Sequence, residues 1–246
     1  MSYLILGATS GLGRELAYIL AKNSIDIIII SRDEKDLKAI KMDLEIKFNI
    51  NVRYFALDVS SFDDTKIFLS TNSNLFNDIQ GLLFPVGMMD SKDDISNDLI
   101  ISNKLIQANL GSIACFLSKA FPILLQKNTG TIVGFSSISS AIGRDSNSLY
   151  AASKRGLDSL FESIAIKSLK TKIKVQFYSI GYLNTNLSYG KKLLLPKAST
   201  KKLAKIVFKN LSKDYKKIYY PPWWAPIVFT IKVLPFSFLR FIYKLF

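Results

Sequence analysis

The chain of 246 residues contains no histidine and one cysteine, Cys115. Without histidine there is no Ser-His-Asp triad, no His-ligated zinc and no imidazole acid–base chemistry. Without a second cysteine there is no intramolecular disulfide and no multi-cysteine metal site. No metal is therefore expected, and a proton-transfer enzyme built from this chain has to use Tyr, Lys, Asp or Glu. Acidic residues are scarce at one end. Residues 186–246 hold 13 of the 33 Lys and Arg side chains but only one acid, Asp214, of 19. Most of the formal net charge of +14 thus belongs to the last quarter of the chain. Such an end suits nucleic acid or an anionic membrane surface. Long charge-free apolar runs are also missing: none in the first 220 residues would span a bilayer. No signal peptide is read at the N-terminus, because the apolar residues 3–6 run directly into a glycine-rich turn. A cytoplasmic body is expected.

What the chain does have is a hydrophobic content of 49%, which excludes disorder on composition. Short apolar runs at 3–6, 25–30, 52–57, 81–86, 131–136, 175–179 and 218–220 read as strands. They are continuous, as in strands covered on both faces. Amphipathic stretches at 11–22, 34–47, 62–71, 103–127, 148–170 and 199–211 separate them. This alternation predicts a Rossmann-type, doubly wound parallel α/β sheet in a single domain over residues 1–220. Residues 221–246, opened by Pro221-Pro222, have their own composition and are expected to form a C-terminal amphipathic helical extension.

The first turn reads Leu6-Gly7-Ala8-Thr9-Ser10-Gly11-Leu12-Gly13, between a strand and a helix. Glycines there let the backbone turn sharply and approach a pyrophosphate, and free N–H groups at the helix start face the phosphates. After the second strand a carboxylate would take the adenosine ribose hydroxyls and repel a 2′-phosphate. The chain has Ser31-Arg32 instead, and a guanidinium fork suits a phosphate, so NADP is the expected cofactor, with Arg14 as a possible second cation. The plain alternative is a solvated Arg32 beside Asp33 and Glu34.

Further on, Ser137 ends a strand, and Tyr150 and Lys154 stand at i and i+4 on one face of a helix. Reduction of a carbonyl produces an alkoxide that needs a proton. A free tyrosine, with a pKa of about 10, donates to it only after a neighbouring ammonium has stabilised the phenolate. Lys154 can supply that charge, and Ser137 can hydrogen-bond the carbonyl oxygen.

The Gly-rich turn, Ser137, and Tyr150-Ala-Ala-Ser-Lys154, in this order and spacing, resemble the single-domain form of the short-chain dehydrogenase/reductase family over roughly residues 3–220. The resemblance implies that Asp58 and Val59 contact the adenine. It implies that Gly87 allows close approach of the cofactor, and that Asn109 supports a water-mediated proton relay to the lysine. Gly181, Leu183 and Thr185 would hold the nicotinamide carboxamide. It also implies a homo-oligomer. The chain departs from the family pattern at Leu6, at Phe84-Pro85-Val86, where two asparagines are usual, and at Ile180, where a proline is usual.

Residues 186–199, where the family covers its substrate, mix leucines with Lys191, Lys192 and Lys197. They suit a substrate with a lipid part and an anionic part, or else a lid with solvated lysines. On a helical wheel of the extension, Lys232, Ser237, Arg240 and Lys244 share one side, and Ile227, Ile231, Leu234, Phe238, Ile242 and Leu245 the other. Pro235 is expected to divide it into two helices. A basic face, an apolar face and Trp223-Trp224 at the entrance predict peripheral docking on the inner face of a membrane, with a subunit contact as the alternative. Nucleic acid fits less well, because the charge adjoins an apolar segment. The expected substrate is a lipid-linked keto-sugar or, as runner-up, a fatty-acyl, steroid or other lipid ketone. From another class, a non-catalytic NADP-binding regulator or membrane scaffold would keep the fold without the chemistry.

Overall fold

A computed structural model of the chain describes residues 2–91, 93, 98–185, 195–214 and 216–245, with side chains to residue 241. The expected substrate cover therefore lies largely outside the described residues. Seven strands form one sheet: β1 Ser2–Leu6, β2 Ile27–Ser31, β3 Val52–Ala56, β4 Ile79–Phe84, β5 Thr129–Ser137, β6 Lys172–Ile180 and β7 Lys216–Tyr220. The order is β3-β2-β1-β4-β5-β6-β7, and every pairing is parallel. The expected doubly wound α/β sheet is what forms.

Neighbouring residues of each strand feed opposite faces, which is why the strand runs are apolar throughout. Ile5 and Ile29 face a core with Leu16 and Leu20 of α1 (Gly11–Lys22), Leu37 and Leu44 of α2 (Glu34–Phe48) and Val207 of α7 (Thr200–Asn210). Leu4, Leu6 and Ile28 face a second core, with Leu69 of α3 (Phe62–Thr71), Phe116 of α5 (Ser112–Lys127) and Phe161 of α6 (Ser148–Lys167). The chain leaves β1 toward β2 on one side, and β4 pairs with it on the other. This switch point opens a crevice at the carboxyl ends of the strands.

The helix expected over 103–127 starts earlier and is not uniform. It comprises α4 (Leu99–Ile106), a π-helical turn Gln107–Gly111, and α5. This run is long and apolar enough to cross a membrane by length and composition. Its Phe116, Leu117, Ala120 and Leu124 are nevertheless buried in the core. In the C-terminal extension, Leu234 is extended and Pro235 separates α8 (Trp224–Val233) from α9 (Phe236–Leu245). Trp224, Val228 and Leu239 are buried. α8 packs on β7 and on the 3₁₀ turn Ile138–Ala141 that follows Ser137.

Candidate active site

A cleft of about 510 Å³ opens at the switch point. Gly7, Thr9, Ser10, Gly11 and Leu12 line it from the first turn, and Ser31, Arg32, Asp58 and Val59 from the ends of β2 and β3. Gly87, Ser137, Tyr150 and Lys154 line the other end, with Gly181, Leu183 and Thr185 after β6. Of the residues expected from sequence, Gly13 and Asn109 do not line it. Gly13 stands behind the turn, where a Cβ would collide with the Gly7 carbonyl oxygen.

Gly7 has φ +94°, and a Cβ on it would come 2.8 Å from the Val86 Cα. The turn therefore lies directly against the chain leaving β4. Ser10, the N-cap of α1, makes no side-chain capping bond, so the first-turn N–H groups are free of an internal cap. The Thr9 and Ser31 hydroxyls are hydrogen-bonded at 2.8 Å, which ties the turn to the end of β2. Burial alone would raise the Asp58 carboxyl. Hydrogen bonds from the Ser60 N–H and hydroxyl, with the charges of Arg32 and Lys104, outweigh it and hold the group below the usual carboxylate range. The open glycine cradle, uncapped helix start and exposed cation at one end fit a dinucleotide phosphate. Arg14 is not part of this set: its guanidinium lies over the Tyr18 ring at 5.8 Å on the outer face of α1.

At the other end, α6 carries Tyr150 and Lys154 one turn apart. The Lys154 side chain is 3% exposed. Its ammonium donates to the carbonyls of Phe135 at 3.2 Å and Val86 at 3.4 Å, and lies 5.8 Å from the centre of the Tyr150 ring. Burial lowers its pKa to about 8, against an opposing pull from Asp158. Asp158 is itself buried and accepts from Lys217 of β7 at 2.9 Å and from Ser140, just beyond Ser137, at 3.0 Å. Burial raises the Tyr150 phenol, while a hydrogen bond with Ser137 and the charge of Arg144 pull it down. Ser137, Tyr150 and Lys154 are thus brought together, as their spacing implies.

Asn109 sits in the π turn and is fully buried. Its amide accepts from Met88 N–H at 2.9 Å and donates to the carbonyls of Met88 at 2.8 Å and Leu105 at 2.9 Å. A Cβ on Gly87 would meet this amide and the Lys154 ammonium at 3.7 and 3.8 Å. Asn109 and Lys154 therefore fasten the segment in which the usual asparagines are replaced by Phe84-Pro85-Val86, using backbone groups that the replacement leaves in place.

Three features escaped the sequence reading. Asp93 is 4% exposed, and its two carboxylate oxygens accept from the N–H groups of Leu149 and Tyr150, both at 2.9 Å. Its carbonyl accepts from Asn147 N–H at 3.0 Å. It caps α6 from a distant part of the chain. The available signal was that the first turn of α6 contains no acid. Arg144 lines the cleft beside Tyr150. Trp224 packs over Gly181, where a Cβ would collide with its indole nitrogen, and stands edge-on to Tyr182 at 5.6 Å.

The short chain dehydrogenase family profile matches residues 2–192. An 11-beta-hydroxysteroid dehydrogenase-like 3 of Arabidopsis thaliana is 27% identical over 241 residues, 94% of this chain and 77% of that one. A very-long-chain 3-oxoacyl-CoA reductase of Rattus norvegicus is 28% identical over 225 residues, 88% of this chain and 70% of that one. Among solved structures, a short-chain dehydrogenase from Sphingobium yanoikuyae in complex with NADPH superposes with a TM-score of 0.80. That match has 20% identity and covers 90% of this chain and 88% of that one. With the parallel sheet, the glycine turn and the Ser137–Tyr150–Lys154 cluster in one cleft, these findings place the chain in the short-chain dehydrogenase family of oxidoreductases.

Proposed function

We propose that the protein is an NADPH-dependent reductase of a ketone carried by a membrane-associated molecule. The observation that carries this reading is the convergence of Ser137, Tyr150 and Lys154 on one end of a cleft whose other end presents Arg32. The N–H groups of residues 9–12 would hold the pyrophosphate. Ser31 and Arg32 would hold the 2′-phosphate, and Asp58 and Val59 the adenine. Gly181, Leu183 and Thr185 would hold the carboxamide. The bound cofactor supplies the hydride. Ser137 donates a hydrogen bond to the substrate oxygen, and Tyr150 delivers the proton through its phenol. The Lys154 ammonium would bind the nicotinamide ribose with its remaining donor and stabilise the phenolate left behind. Asn109 fixes the Gly87–Met88 wall next to that ammonium. NADPH in the Sphingobium protein supports the cofactor choice.

The substrate reading rests on the C-terminal helices and on the lysines of 186–199. α8 and α9 leave Trp223, Phe229, Val233, Phe236, Phe238 and Phe241 exposed, a surface suited to insertion among lipid headgroups at the inner membrane face. A lipid-linked keto-sugar satisfies both an apolar and an anionic contact. The names of the plant and rat relatives favour the second reading, a steroid or fatty-acyl ketone. A homo-oligomer would use the same apolar surface. NADPH oxidation with a panel of lipid ketones tests the chemistry. Tyr150→Phe should lower turnover by roughly 10²–10⁴-fold with NADPH affinity little changed. Undiminished turnover would remove Tyr150 as the proton donor, and absence of Tyr150-dependent NADPH oxidation in the parent with every ketone would return the chain to the non-catalytic class.

A further inference from the structure

We propose that Arg144 makes the reaction end of the cleft an oxyanion-binding site, so that the ketone reduced there carries a carboxylate or phosphate near its carbonyl. This deepens the reductase reading and rests on it. Four charged side chains line the cleft among the described residues: Arg32, Asp58, Arg144 and Lys154. Arg32 and Asp58 belong to the end formed by β2 and β3. Lys154 is buried, with its ammonium committed to two backbone carbonyls. Arg144 alone of the four is an exposed cation at the reaction end.

Its place in the chain fixes what it can reach. Arg144 lies between Ser137 and Tyr150, in the segment joining β5 to α6. Its charge is felt at the Tyr150 phenol. It makes no ion pair with any described residue. The nearby acids are otherwise engaged. Asp93 accepts from Leu149 and Tyr150 N–H, and Asp145 accepts from Ser146 N–H at 2.7 Å. Space is open beside it, since a Cβ on Gly143 would meet nothing within 4 Å. Burying an arginine without an anion would be costly, whereas leaving it at a cleft mouth keeps it hydrated until a ligand arrives. The guanidinium fork then offers two parallel hydrogen bonds to a carboxylate or phosphate. Met88, Met89, Ile138 and Tyr182 line the same end and supply an apolar wall. One anion beside an apolar wall selects an amphiphile: a keto acid or keto phosphate with a hydrocarbon chain.

The test uses the full-length protein loaded with NADP⁺, which allows binding without turnover. The probes are 4-oxodecanoate, its methyl ester, and a phosphate monoester of a keto alcohol of the same length. Calorimetry should show the acid or the phosphate binding about tenfold or more tightly than the ester. Whichever of the two binds better identifies the anion. Arg144→Gln should erase the preference, Arg144→Lys should keep part of it, and NADPH affinity should stay within twofold in both. Equal binding of all three probes, or a preference that survives Arg144→Gln, overturns the proposal. So does a loss of NADPH affinity in Arg144→Gln, which would assign the arginine to the cofactor. If no probe supports Tyr150-dependent NADPH oxidation, the reductase reading fails separately, and the binding result still decides the anion site.

Discussion

The reaction end of the cleft and the C-terminal helices touch each other, through α8 and the turn after Ser137, yet they are built in opposite ways. At the reaction end polar groups are buried and partnered: Lys154, Asn109, Asp93 and Asp158 all lie inside the protein with hydrogen bonds or ion pairs. On the C-terminal helices apolar groups are exposed: Phe229 by 70%, Val233 by 66%, Phe236 by 65% and Phe241 by 58%. Both reverse the usual placement of polar and apolar side chains. Such reversals, unlike a buried leucine or a surface lysine, need a reason beyond folding. In the first region the proposed proton transfer would supply the reason, through a held geometry. In the second, the proposed docking surface would supply it.

The largest effect belongs to the most buried charge. The folded pKa of Lys154, about 8, lies below its ordinary value of 10.5, so between these values the unfolded chain binds the additional proton. Stability should therefore rise as pH climbs from about 8 to 10.5, and the burial penalty, roughly 3 kcal/mol, is fully present at pH 7. Lys154→Met removes that penalty and gives up the bonds to Val86 and Phe135. The variant should melt several degrees higher than the parent at pH 7, with the gain fading between about pH 8 and 10.5, while turnover falls by roughly 10²-fold or more. A lower melting temperature at pH 7 would mean that the two carbonyl bonds outweigh the burial cost, and the contrast between the regions would weaken.

Asp93 comes next. In Asp93→Ala two part-buried N–H groups of α6 lose their acceptor and Tyr150 loses its register. A shift of the reacting group on the order of 1 Å costs about 10²-fold in kcat, with KM less affected. Asp93→Asn keeps one of the two acceptors and turns an amide NH2 toward the other N–H, so it should recover only part of the loss. An asparagine variant as fast as the parent would show that a single acceptor is enough and that the two-oxygen cap does not hold Tyr150. Arg32→Ala should be milder, with kcat/KM for NADPH falling about 10- to 100-fold and that for NADH nearly unchanged. Equal losses with both cofactors would remove the 2′-phosphate contact.

These residues also mark how far the sequence could be read. The glycine turn and the Ser137–Tyr150–Lys154 cluster are legible because local geometry dictates their spacing: a strand, a tight turn, a helix and one helical turn. Asp93 and Arg144 come from irregular loops, and Asp93 meets its partners more than 50 residues away, so no periodicity announces them. Gly181 was read as a cofactor contact. It lines the cleft, but the space a Cβ would need is taken by Trp224, a residue assigned from sequence to a membrane tail. Boundaries slipped for similar reasons. β2 begins at Ile27 rather than at 25, because Ser24 takes a left-handed φ of 57° at the end of α1.

The C-terminal helices offer the smallest expected effect on chemistry and the sharpest test of the contrast. A truncation at Pro221 would strip Trp224 from Gly181 and disturb the cleft, so it cannot separate docking from catalysis. Replacing Phe229, Phe236, Phe238 and Phe241 by serine changes only exposed positions, and none of them lines the cleft. The variant should turn over a short water-soluble ketone within about twofold of the parent, since exposed substitutions away from a site alter little. Its sedimentation with vesicles containing anionic lipid should nevertheless be lost, because each removed phenyl forfeits roughly 1.5–3 kcal/mol of burial. If vesicle binding persists and sedimentation velocity instead shows a smaller particle than the parent, the apolar surface is a contact between copies of this chain. The exposed phenylalanines would then be covered by protein, and the reversal that sets the two regions apart would exist only in the isolated subunit.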